Sequence, residues 1–380
     1  MPILQIPRCP EAQISRCPDV HQSRTTLYNL PKTILLIQVH TRTDFLNILL
    51  HSLSNVININ QTLIIISSDI YDKSINELIY NKLDFAPFMH IFYPFSRFFY
   101  PDTFPGTDPN DCPRDISKEK AIESGCNNAL HPDKYGHYRE DRYVQLKHHW
   151  FWKLQYTFKR ILGTDQTDGK TDHDVILLED DYYVTKDILT SFKKLKSQQT
   201  TDIISLGNYD LKTNTIASSW KATNNLYDTI PFYGSQNNMG LALNRKFFDK
   251  LEKCKEEFCK YDDYNWDWSL NSMVGTASTK CLGNFRTTQF SSPRVLHLGA
   301  CTGAGGTHLN KKGLKQCDLP LIKQKADKFS EDIFSGGIEE FDNLVLKLRK
   351  DTKIFKKAVN PNGGFSDPRD HALCLDYNLG

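Results

Sequence analysis

The apolar positions of this chain come first in short unbroken runs and later in looser, mixed patterns. Thr33–Val39 (TILLIQV), Thr62–Ile66 and His90–Phe95 have strand length, with apolar residues on both sides of the pleat. Between them, Phe45–Leu53 and Ile75–Leu83 carry apolar residues at helical spacing. Continuous runs separated by helices predict parallel strands buried on both faces. Residues 96–140 break the rhythm, because the proline and glycine of YPDTFPGTDPNDCPRD predict irregular backbone. A long helix is predicted over 140–162, with Val144, Phe151, Leu154, Phe158 and Ile161 on one stripe. Asp174–Leu178, Asp202–Leu206, Met239–Leu243 and Arg294–Leu298 read as further strands, and 187–196 and 245–254 as helices. The predicted fold class is α/β, a mixed, mostly parallel sheet sandwiched by helices. A polar stem-like extension, 1–26, precedes an α/β half, 27–235, and a second half of the same domain, 236–380. Lys311–Lys328 is basic and predicts a solvated surface or mobile loop.

Composition narrows the function classes. A chain of 380 residues can bury a substantial core as one large domain or two joined ones. Its 47 basic and 45 acidic residues nearly balance, which argues against a nucleic-acid binder that relies on net charge. No apolar run approaches the roughly 18 residues of a membrane span. The segment MPILQIPRCPEAQISRCPDV lacks the apolar core of a signal peptide, so any targeting segment is expected outside this sequence. The ten cysteines, at 9, 17, 112, 126, 254, 259, 281, 301, 317 and 374, form no CxxC pair, so a zinc ribbon is not expected. Their even number suits disulfides and an oxidising compartment; scattered buried thiols in a cytosolic protein are the alternative. Asn60-Gln61-Thr62 is a glycosylation triplet of the kind that also arises by chance.

Candidate chemistry lies where strands end. VILLEDDYY, 175–183, runs four apolar residues into Glu179, Asp180 and Asp181. In an open α/β sheet this is the edge where ligands bind. Three adjoining carboxylates repel one another and call for a positive partner, and a divalent cation carrying phosphate oxygens is one that fits. YDDYNWDW, 261–268, alternates carboxylates with aromatics. That mixture suits sugars, whose C–H faces pack on rings while their hydroxyls meet acids; a core helix with exposed acids would look the same. RVLHLG, 294–299, ends an apolar strand at His297, where an imidazole could complete a metal site and would favour a transition metal such as Mn²⁺ over Ca²⁺, a purely structural histidine being the alternative.

Together with these stretches, QVHTR (38–42), PFSRFFYPDTFPGTDPNDCPRD (94–115), YGHYRE (135–140), LKHHWFWKL (146–154), LEDDYY (178–183), NMGLAL (238–243), FCKYDDYNWDW (258–268) and DPRDHALC (367–374) resemble the Golgi N-acetylglucosaminyltransferase II family. The resemblance runs from about Ile34 to Cys374 and departs from the family pattern at Tyr182, where a histidine is expected. It implies a GT-A type fold with a nucleotide-binding α/β sandwich. It also implies an inverting enzyme that moves GlcNAc from UDP-GlcNAc to the 2-hydroxyl of the α1,6-arm mannose of N-glycans. Mn²⁺ is the implied cofactor, with Asp181 and His297 as its ligands. The donor would lie against Gln38, Val39, His40, Thr41 and Arg42, with Asp69, and with Gln145, Leu146, Lys147, His148 and His149 of the long helix. Asp267 looks like the catalytic base, and Asn238, Tyr264 and Trp266 like the acceptor wall. The implied disulfides are Cys112–Cys126, Cys254–Cys281, Cys259–Cys374 and Cys301–Cys317. The implied location is the Golgi lumen, as a type II membrane protein whose anchor lies outside this sequence. Two other readings are a related transferase acting on the α1,3 arm and a non-catalytic metal-dependent sugar-binding protein.

Overall fold

The computed structural model describes residues 30–163, 173–198, 201, 203–208, 226–234, 236–275, 280–299, 319–334, 345–346, 360–377 and 379. The first half alternates as the apolar runs require: β1 (Thr33–Val39), α1 (Thr43–Ser54), β2 (Leu63–Ser68), α2 (Lys73–Lys82) and β3 (Phe88–Phe92). The third strand therefore stops short of the predicted Phe95, and Tyr93 and Phe95 instead pack edge to face beyond its end. Within 96–140 one short helix, α3 (Lys118–Ser124), interrupts the expected irregular backbone. Ser117 caps its start and Gly125 its end, the latter at φ 67°, where a missing Cβ removes the steric cost. The long helix α4 is Asp141–Tyr156 and continues into a π-turn over Thr157–Ile161.

Next come β4 (Asp174–Glu179), β5 (Tyr182–Val184), α5 (Ile188–Ser197), β6 (Ile203–Ser205) and β7 (Leu226–Pro231). The chain continues with β8 (Leu241–Asn244), α6 (Arg245–Lys253), α7 (Lys255–Lys260), α8 (Trp266–Ser272), β9 (Arg286–Phe290) and β10 (Val295–His297). The last described elements are α9 (Leu319–Phe334), β11 (Val345–Leu346) and α10 (Pro368–Leu375).

Nine strands form one sheet in the order β11-β7-β9-β6-β8-β4-β1-β2-β3, of which β1 pairs in parallel with both β2 and β4. Strand periodicity sends Ile34 and Leu36 to one face, with α4, α6 and α7, and Leu35, Ile37 and Val39 to the other, with α1, α2 and α5. Residues Ile34 to Ile37 are fully buried, and each such side chain contributes about 1.5–3 kcal/mol. This is the mixed, mostly parallel sheet between helices that the resemblance implies. β8 lies between β4 and β6, so the expected division after residue 235 passes through a single sheet.

Register positions the site. Gln38 of β1 stands level with Glu179 of β4 and Ser67 of β2, so the strands end together. The expected strand at Arg294–Leu298 is outside this sheet. As β10 it pairs antiparallel with β5 in a two-stranded ribbon that sets His297 opposite Tyr182. Arg294, fully buried, holds that ribbon by donating from Nε to Asp187 at 2.9 Å.

Disulfides staple both the irregular 96–140 segment and the C-terminal part. Among the described residues the disulfides are Cys112–Cys126, Cys254–Cys281 and Cys259–Cys374, as the resemblance implies. The expected Cys301–Cys317 pair, Cys9, Cys17 and the 1–26 extension lie outside the described residues. Lys311–Lys328 is corrected where it is described. From Leu319 it is helix α9, with Ala326, Phe329 and Ile333 packed on Phe45, Ile48, Tyr183, Leu296 and Leu298. Of its lysines, Lys323 and Lys328 pair with Asp327 and Asp332 four residues on.

Candidate functional site

The acidic run leaves β4 at the sheet edge and finds its positive partner in the chain itself. The guanidinium of Arg42, from the end of β1, bonds both Asp180 and Asp181. Burial works against that charge, but Asp180, Asp181 and Glu179 hold it above the ordinary guanidinium value. His297 reaches the same point from β10, with Nε2 3.1 Å from Asp181 Oδ2. Burial would raise the Asp181 carboxyl; His297 and Arg42 outweigh it and hold it below the usual range. Asp180, more deeply placed, is pushed up to about 6 by burial, against Arg42 and with the like charge of Asp181 adding.

These residues fit a divalent cation. Asp181 Oδ1 is buried without a hydrogen-bond partner, and carboxylate oxygen with imidazole nitrogen is a suitable donor pair. Gly299 leaves the space open, since a Cβ there would stand 1.9 Å from Asp181 Oδ2 and 2.9 Å from His297 Nε2. Among the described residues no three or more His, Cys, Asp or Glu converge as a metal cage. Two protein ligands with the rest supplied by phosphate and water is a common arrangement for hard cations that accompany nucleotides.

Beside the acidic run, His40 donates its backbone N–H to Asp180 at 2.9 Å and sets Nδ1 2.7 Å from Asp69 Oδ1. Asp69 is buried after β2, and Gln145 Nε2 of α4 donates to its second oxygen at 2.7 Å. Burial would raise Asp69, but His149 and His40 hold it well below the usual carboxylate range. His149 lies behind, with Nε2 2.8 Å from the Ser67 hydroxyl. The pair Gln145 and Asp69 thus ties the long helix to the sheet edge.

A cavity of about 230 Å³ joins these groups to the second half of the chain. The sheet edge contributes Gln38, His40, Arg42, Glu179 and Asp180, and α4 contributes Leu146. The ribbon supplies Tyr182 and His297, and the C-terminal half supplies Asn238, Asn265, Trp266 and Asp267. Gln38 Oε1 is buried and has no protein partner. Asp267 sits in the first turn of α8; Oδ2 accepts from Asn238 Nδ2 and Oδ1 from the Trp268 N–H, both at 2.9 Å. Burial pushes its carboxyl up to about 7, with those two donors opposing and Asp263 and Glu179 adding. Trp266 is stacked on Trp150 at 4.5 Å, which makes that side of the cavity rigid.

Other expected site residues lie elsewhere. Val39 is buried in the sheet and Thr41 is exposed. Lys147 is fully buried, donating to the carbonyls of Tyr261 and Asp263 over the Phe365 ring. His148 faces α10, with its nitrogens 2.8 Å from the Tyr377 hydroxyl and 3.0 Å from Asp370. In a helix, residues three or four apart share a face, so a run of five consecutive residues points all round. Tyr264 lines a separate cleft of about 390 Å³ with Tyr143, Asn362, Gly363 and Gly364. The sequence reading did not single out Asn265, Gly299 or the pairing of Arg42 with the acidic run. Of these, Asn265 lies inside YDDYNWDW and Gly299 closes RVLHLG, whereas no local signal marked the pairing of Arg42.

A family model described as N-acetylglucosaminyltransferase II matches residues 14–374. The alpha-1,6-mannosyl-glycoprotein 2-beta-N-acetylglucosaminyltransferase of Sus scrofa is 37% identical over 350 residues, covering 90% of this chain and 73% of its own. The Homo sapiens protein of the same name is 36% identical over 350 residues, with the same coverage of 90% and 73%. Its Arabidopsis thaliana namesake is 26% identical over 356 residues, covering 91% and 74%. Among solved structures, S. aureus TarS in complex with UDP-GlcNAc has a TM-score of 0.35 at 9% identity, covering 80% of this chain and 73% of its own. That likeness is too slight to bear on fold or ligand.

Proposed function

The chain belongs to the N-acetylglucosaminyltransferase II family, and from that premise we propose that it transfers GlcNAc from UDP-GlcNAc to the 2-hydroxyl of the α1,6-arm mannose of N-glycans, forming a β1,2 bond by one inverting displacement. The observation that carries this reading is the single cavity into which Gln38, Arg42, His297 and Asp267 all project from distant parts of the chain. A divalent cation such as Mn²⁺, held by Asp181 and His297, would neutralise the charge that grows on the departing UDP.

The protein groups do the rest. Gln38, His40 and Arg42 at the sheet edge, with Leu146 of α4, form the side of the cavity that takes the nucleotide-sugar; Asp69, Gln145 and His149 brace it from behind. Arg42 provides a fixed positive charge beside the acidic run. Asp267 removes the proton from the attacking hydroxyl, and a carboxyl held at about 7 is well matched to that task near neutral pH. Asn238 and the Trp268 N–H fix both carboxylate oxygens, each of which keeps a lone pair for the proton. Trp266, backed by Trp150, offers an aromatic face to the acceptor sugar. Tyr264 in the neighbouring cleft would meet the glycan away from the reacting hydroxyl. The three disulfides support work in an oxidising compartment, for which the family reading points to the Golgi lumen. Among the described residues no helix is long and apolar enough to cross a membrane.

Incubation with Mn²⁺, UDP-GlcNAc and an N-glycan whose two mannose arms can be told apart tests the reading. GlcNAc on the α1,6 arm, lost on adding EDTA, is expected. UDP-GlcNAc binding without transfer would sink it, and transfer to the α1,3 arm would correct the acceptor.

A further inference from the structure

Asp263 is bonded to one residue of each pocket, and in the chemistry above its only part is to help burial raise the Asp267 carboxyl. It is fully buried. One carboxylate oxygen, Oδ1, accepts from the Asn265 backbone N–H at 2.8 Å and from Asn265 Nδ2 at 3.0 Å. The other, Oδ2, accepts from the Asn362 backbone N–H at 2.7 Å and from Asn362 Nδ2 at 3.0 Å. Its own carbonyl accepts from Lys147 Nζ at 3.1 Å and the Ser269 hydroxyl at 3.2 Å. Asn265 lines the cavity that holds Asp267, whereas Asn362 lines the cleft beside it. The two oxygens therefore grip two segments that are far apart in sequence and belong to different pockets.

The grip acts together with other contacts on the turn before α8: Lys147 on the Tyr261 and Asp263 carbonyls, the Phe365 N–H on Asp262 and the Trp266 stack on Trp150. Asn265, at the start of that helix, makes no capping bond with its side chain, and its Nδ2 donates to Asp263. Four N–H donors on one buried carboxylate are charge-assisted bonds, and a neutral residue cannot accept all four. On the other side, Gly363 and Gly364 are in the left-handed region at φ 86° and 82°, and Tyr264 donates its N–H to the Gly363 carbonyl at 3.3 Å. A shift of residues 362–364 would be felt through Asp263 at Asn265, two residues from Asp267.

Building on the transfer reading, we propose that Asp263 is a positioning residue, which clamps the turn carrying Asp267 to the 362–364 segment of the neighbouring cleft so that the cleft's conformation sets the placement of the base. The test uses the full chain with UDP-GlcNAc and the N-glycan acceptor. Asp263→Asn should lower kcat about tenfold or more while KM for UDP-GlcNAc stays within about twofold, since the nucleotide side is built from other elements. Asn362→Ala removes one bond from an exposed residue that touches no part of the cavity. It should lower kcat about fivefold, with the same donor KM and an unchanged melting temperature. Asn362→Ala at wild-type kcat overturns the proposal, even if Asp263→Asn fails to fold. So does a parallel fall of kcat, donor affinity and melting temperature, which is the mark of a merely structural role. A wild-type chain without transfer would instead sink the functional reading, and this inference with it.

Discussion

The two sides of the cavity are built differently. The side proposed for the nucleotide is the common end of β1, β2 and β4, three strands in parallel register whose buried runs hold them without help from the site. The side proposed for the acceptor rests on α8, a helix of 7 residues placed by contacts from far along the chain. Those contacts are the Trp150 stack, the Asp263 clamp and the Cys259–Cys374 disulfide, whose partners are 115 residues apart. Side chains on strand ends can be lost one at a time with local effect. A short helix held by a few remote contacts transmits the loss of any of them.

The sharpest way to test that contrast is Asp267→Asn. It should reduce kcat by about 10²–10⁴ and leave the affinity for UDP-GlcNAc near that of the wild type, as measured by calorimetry. A matching loss of donor affinity would mean the two sides are not separable. Next in size is removal of the long-range staple. In the chain-entropy view, Cys259→Ser with Cys374→Ser costs about 4–5 kcal/mol. Hydrogen exchange should then rise first in α7, α8 and α10, while β1, β2 and β4 stay protected. Uniform loss of protection would erase the distinction.

On the nucleotide side, Gly299→Ala drives a methyl group against Asp181 Oδ2. Mn²⁺ affinity, read by electron paramagnetic resonance, should fall about 10–100-fold with the melting temperature little changed. Retained affinity would remove Asp181 and His297 from the cation site. The smallest expected effect is in the pH profile. With Asp267 at about 7, log kcat/KM should rise by about one per pH unit below that point and level off above it. The Asn238 amide stabilises the charged carboxylate, so Asn238→Ala should move this limb about one unit upward. A limb that stays fixed would mean another group controls it.

Legibility in the sequence follows the same division. TILLIQV, TLIIIS and VILLEDD announced buried strands because period and composition are local properties, and the acids after Leu178 marked a ligand edge for the same reason. Less regular elements were missed. β7 carries aspartate and threonine among its apolar residues, β9 is mostly arginine, threonine and glutamine, and the stripe of α9 is obscured by its lysines. The local pattern of YDDYNWDW marked the stretch that contains Asp267, but only the resemblance chose that acid as the base and supplied the disulfide partners.

By itself the sequence determined the buried strands β1, β2, β3 and β4, the alternation of strands and helices in the first half, and the placing of carboxylates where a strand run ends. Short-range hydrophobic periodicity and backbone propensity suffice for that, because each run buries its own faces. Only the tertiary structure decided that Arg42 neutralises the acidic run, that His297 arrives on a separate ribbon, and that Asp263 and Trp150 hold α8 against the cavity. Such contacts depend on how distant segments pack, and the free energy that selects one packing is shared among residues that no local pattern connects.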